Sequence, residues 1–167
     1  MSLPTELAEV NGAQELYDWF GFWPKFHDAE AVSLHLNRGA ASVLKVHAWD
    51  TTDELDSDGF YVLQKHLIVR FLLYGITELG LEDFSIQNVL FGLELTKQDG
   101  AFMLTLDSTY GLGGTILAQN VEIELTPGEP EGDEVSGPGM QRGKARPLTP
   151  EEKKEINYRP LAPEEST

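Results

Sequence analysis

The sequence predicts an α+β domain: a mostly antiparallel sheet of about six strands, one N-terminal helix packed on it, and a disordered C-terminal tail. Three observations predict it. Apolar side chains alternate with polar ones in several runs between residues 30 and 126, the period of half-buried strands. One run, residues 13–20, has helical spacing instead. From Pro127 onward the chain holds seven of the nine prolines and few large apolar side chains. This divides the chain into an α+β domain, residues 1–126, and a Pro/Glu-rich tail, residues 127–167.

The elements follow in order. In residues 13–20, Leu16, Trp19 and Phe20 share one helical face, with Asn11 as N-cap and Gly21 as stop. Pro24 bars the helix from continuing and pushes Trp23 toward an extended conformation. From Glu30, Val32, Leu34 and Leu36 alternate with Ser33, His35 and Asn37, which predicts a strand with the three aliphatics inward. Residues 42–49 predict a second strand, with Leu44, Val46 and Ala48 on its inner face. Residues 50–59 read as an acidic loop. A long strand over 61–74 buries Leu67, Val69, Phe71 and Leu73, and its other face is apolar enough to be covered too. Residues 75–85 read as a connection. Strands over 89–96 and around Phe102, Leu104 and Leu106 flank a hairpin turn at Gln98-Asp99-Gly100. A glycine-rich turn at 110–114 leads to the last strand, 115–125. In the tail, Thr149-Pro150-Glu151-Glu152 fits a capping box opening a short helix over 150–157.

Composition excludes several classes. The chain has 167 residues, a formal charge of −16 and no cysteine. Without cysteine there is no disulfide, thiolate metal site or cysteine nucleophile, which suits a cytoplasmic protein. No apolar run reaches membrane-spanning length, and the start lacks the basic and apolar regions of a secretory signal. Residues 1–126 carry six basic and nineteen acidic side chains, net −13, so the acidity belongs to the folded part. Such a surface repels nucleic acid and attracts a basic partner.

The densest chemistry lies in Trp23-Pro24-Lys25-Phe26-His27-Asp28-Ala29-Glu30. One reading is structural: Asp28 braces the turn and His27 bonds to backbone beneath Trp23. A second makes the turn a partner contact. A third gives His27, Asp28 and Glu30 to a metal, as in a metal-dependent hydrolase. Residues 54–59 imitate the first half of a calcium loop, but Lys65 stands where the closing acid belongs. The five carboxylates Asp50, Asp53, Glu54, Asp56 and Asp58 read instead as an acidic finger for a basic groove, with Trp49 as an exposed anchor beside it. Gly111-Leu112-Gly113-Gly114 lacks the lysine and following helix of a phosphate loop and reads as a turn needing positive φ. No nucleophile motif is present.

Trp23-Pro24-x-Phe26-His27-Asp28-Ala29-Glu30, followed by Leu34 and Leu36, resembles the immunity protein 50 family of bacterial polymorphic toxin systems. Similar segments are Phe71, Gly75-Ile76, Leu81, Phe84, Gln87-Asn88-Val89, and Tyr110-Gly111-x-x-Gly114-x-Ile116-x-Ala118-x-x-Val121-x-Ile123, so the likeness spans residues 19–126. The proline-rich tail departs from it. The resemblance implies a single-domain α+β protein that neutralises a cognate toxin, such as a nuclease, by binding it. It implies no catalytic residue, cofactor or metal. Residue reading and resemblance together give the expected contact residues: Trp23, His27, Asp28, Glu30, Trp49, Asp50, Asp53, Glu54, Asp56 and Asp58. A general ligand-binding domain with a deep apolar pocket is a further alternative.

Overall fold

The computed structural model describes residues 2–131. They form two compact units, residues 2–50 with 63–131, and residues 51–62. A short turn of 3-10 helix, Thr5–Leu7, precedes α1, Ala13–Phe20. Six strands follow: β1 Glu30–His35, β2 Ser42–Leu55, β3 Tyr61–Glu82, β4 Val89–Gln98, β5 Ala101–Tyr110 and β6 Gly113–Pro127. Their order is β1-β2-β3-β6-β5-β4, and the sheet closes on itself. The closing pair is antiparallel, Glu30 opposite Val89. Closure joins the two end strands at this seam, and a barrel this small is filled by its own side chains. Phe71, Leu44, Leu67, Leu90, Leu104 and Ile116 are all buried within it. Leu16 and Phe20 of α1 belong to the same apolar cluster.

The inner faces expected for β2, β3 and β5 are the buried ones. The turn at Asp99-Gly100 is also as expected: both residues have positive φ, and Gln98 pairs with Ala101.

Four expectations are corrected. In β1 a bulge between Ala31 and Ser33 interrupts the alternation, so Ala31 pairs with Val46 and Leu34 with Leu44. Ala31 is buried, while Leu36, past the strand end, is 51 % exposed. Residues 75–82, expected as a connection, continue β3 and pair with β6 from Gly113 to Ala118. The acidic stretch is a β-hairpin, because β2 runs to Leu55 and β3 starts at Tyr61. At the helix start Gly12, at φ 89, is the N-cap. Asn11 is occupied elsewhere: its carbonyl accepts from Ile123 N–H, and its side chain donates to Glu122. Gly21, at φ 84, ends α1 as expected, its N–H donating to the Tyr17 carbonyl.

Pro127 lies in β6, opposite Leu67, and Gly128 N–H donates to the His66 carbonyl. The short helix expected over 150–157 lies outside the described residues.

Candidate functional site

The turn before β1 forms the seam of the barrel. Four backbone bonds tie it to the start of β4: Asp28 N–H to the Leu90 carbonyl, Leu90 N–H to Ala29, Ala31 N–H to Asn88, and Leu93 N–H to Lys25. The path requires left-handed backbone at two ordinary residues, Phe26 at φ 60 and Asp28 at φ 66. Burial of Phe26, whose ring meets Phe71 edge-on at 5.8 Å, offsets that strain. Trp23 is half-buried and packs against the core.

His27 and Asp28 face outward. Nδ1 of His27 lies 3.1 Å from the Asp28 carboxylate, and both side chains are 59 % exposed. His27 therefore pairs with its neighbour, where the sequence allowed a bond to backbone under Trp23. Its ring also meets Phe91 edge-on at 5.1 Å, and Phe91 is 61 % exposed. Glu30 is buried and stands opposite His47 in the ladder. The turn thus places His27 and Asp28 at the surface and sends Glu30 into cover.

Residues 51–62 present Asp53, Glu54 and Asp58 to solvent on the hairpin. Asp56 has a structural task. Its carboxylate accepts from the N–H groups of Asp58 and Phe60 at 2.9 and 3.0 Å, which folds the turn. Asp50 accepts from the Gln64 side chain at 3.0 Å. Trp49 is half-buried rather than an exposed anchor: its ring lies 4.8 Å from His47 and 6.2 Å from His66.

Those two histidines form the group of ligand-type atoms that the structure brings together among the described residues. His47 Nε2 and His66 Nδ1 are 3.0 Å apart, and Glu129 joins them. The turn triad of His27, Asp28 and Glu30 forms no such group.

Sequence reading missed the exposed large apolar side chains at this end. Phe84, Ile86 and Phe91 project from the β3–β4 connection and β4, and Tyr110 stands opposite Val89. Their runs offered no period to mark them as outward. Asn88 organises this end: its side-chain oxygen accepts from Ser85 and Leu112 N–H, and its amide donates to the Ser85 carbonyl. Gly111, at φ 84, must be glycine, because a Cβ there would lie 2.4 Å from the Gln87 carbonyl. Beside it runs an open groove of about 540 Å³ lined by Glu82, Asp83, Ser85, Ser108 and Tyr110. It is an open trough, unlike the deep apolar pocket of a typical small-molecule site.

On the outer face of the barrel, Tyr74 hydrogen-bonds to Glu122, which also accepts from Asn11 at 3.1 Å. The Tyr74 bond, then the Asn11 bond, holds the Glu122 carboxyl below its ordinary range. The same Glu122 bond pushes the Tyr74 phenol up. Compared with known protein families, with curated proteins and with solved structures, the chain matches none.

Proposed function

We propose that this protein is a non-catalytic, cytoplasmic immunity protein that neutralises a cognate bacterial toxin by direct binding. The observation that carries the reading is a net charge of −13 over residues 1–126, with Asp53, Glu54 and Asp58 displayed on defined secondary structure. A toxin that handles nucleic acid presents a basic cleft, and carboxylates can stand there in place of phosphates. The resemblance of residues 19–126 to immunity proteins supports the same class. In this reading α1 packs on the sheet, while the surface groups make the contacts.

The test takes as partner a candidate toxin whose gene neighbours the one for this chain. The two purified proteins are expected to form a 1:1 complex whose association slows as salt is added. Asp53→Asn, Glu54→Gln and Asp58→Asn together are expected to slow association about tenfold at low salt. Asp56 is left in place because it holds the turn. Absence of a complex would sink the reading, and an unchanged association rate would remove the hairpin from it.

A further inference from the structure

We propose that His47, His66 and Glu129 form a binding site for a first-row divalent cation of the zinc class. The proposal is independent of toxin binding. It rests on three ligand atoms from separate strands and the segment after β6, all within 4.8 Å of one another.

Each ligand is positioned by the fold. His47 lies on the outer face of β2, between the inward Val46 and Ala48, yet it is fully buried. His66 follows Lys65, which adopts φ 54 and whose carbonyl accepts the Trp19 indole N–H at 3.0 Å. The imidazoles of His47 and His66 stack with centroids 5.2 Å apart. Glu129 arrives because Gly128 N–H is bonded to the His66 carbonyl at 2.9 Å. Its carboxylate then lies 3.9 Å from His66 Nδ1.

The spacing suits a metal. A tetrahedral zinc at about 2.0–2.1 Å from each donor sets neighbouring donors roughly 3.4 Å apart. The observed 3.0 and 3.9 Å lie on either side of that figure and all three donors fall within 4.8 Å, so the exposed Glu129 side chain swings in by up to about 1.4 Å to complete the set. The set is chemically apt: two imidazoles and one carboxylate, with a fourth position left for water on the exposed Glu129 side. Without metal, a proton lies between His47 Nε2 and His66 Nδ1. Ligation needs both lone pairs, so on binding that proton moves to the other nitrogen of its own ring. Glu30, buried and directly across the ladder from His47 on the same face, is placed as the outer carboxylate that orients a ligand imidazole.

The experiment takes the full chain after chelation and dialysis. Zinc is titrated by calorimetry, and cobalt by its visible absorption, which intensifies in four-coordinate sites. The expected result is one zinc per chain and a zinc-dependent rise in Tm. His66→Ala and Glu129→Gln are each expected to weaken binding at least about tenfold. Glu129→Gln alters an exposed side chain, so it keeps the test valid even where a change at buried His47 unfolds the protein. His27→Ala, at the other exposed histidine–carboxylate pair, is expected to leave affinity within about twofold. No stoichiometric binding, binding indifferent to both His66→Ala and Glu129→Gln, or binding abolished by His27→Ala would each overturn the proposal.

Discussion

Asn88 shows how one side chain can govern a whole end of the barrel. It is buried, and both ends of its amide are bonded to backbone, holding Ser85 and Leu112 in place. Asn88→Ala strands those groups without water, at a cost of about 2–3 kcal/mol. Asn88→Asp keeps the acceptor and loses the donor, so it should fall between; urea unfolding would rank the three. Asp28 poses a different problem. Its φ of 66 is costly for any side chain, and glycine relieves that cost while adding freedom to the unfolded chain. The two effects offset, and Asp28→Gly should stay within about 1 kcal/mol of the parent. With stability matched, weaker toxin binding by Asp28→Gly would assign the carboxylate to the partner. Unaltered binding would leave it the task of pairing His27.

Among the elements, the outer face of β3 and β6 carries a pH-sensitive brace. Leu72 faces Glu122 in the ladder, so Tyr74 is the diagonal neighbour that reaches its carboxylate. The Glu122 carboxyl is held low, so its contribution is present above the ordinary carboxylate range. It is lost as pH falls through the depressed value. Tyr74 is shifted up, so its contribution holds below the ordinary phenol range and is lost as pH rises through the raised value. Glu122→Gln should therefore lower Tm slightly at neutral pH, with the gap closing toward strong acid and again toward strong base. A gap constant across the range would show that the bond is not ionic. Strand faces were legible in sequence wherever burial alternates, as in Leu67, Val69, Phe71 and Leu73. They failed at β1, where one extra residue at Val32 breaks the period. They failed again at residues 77–80, which are exposed on both faces and give no alternation.

At the scale of the whole molecule, closure was not legible at all. It depends on Glu30 meeting Val89, and no local pattern encodes that meeting. The histidine–carboxylate group was hidden for the same reason: its members come from β2, β3 and a segment whose proline and glutamate content reads as tail. The surface turn was legible because its residues are consecutive, although its exposed neighbour Phe91 was not. That neighbour separates two parts of the proposed function. Charge acts at long range and sets how fast partners meet, whereas desolvated rings act on contact and set how long they stay. His27→Ala and Phe91→Ala remove exposed groups, so each should leave Tm nearly unchanged. If their edge-on pair sits in the toxin interface, each should raise the dissociation rate about tenfold while barely altering association. The triple hairpin substitution should do the reverse, slowing association and flattening its salt dependence. Stopped-flow association and chase-induced dissociation, run on both sets of variants, distinguish these outcomes. If Phe91→Ala leaves dissociation unchanged while the hairpin variant still slows association, the toxin reads the charge and passes over the seam.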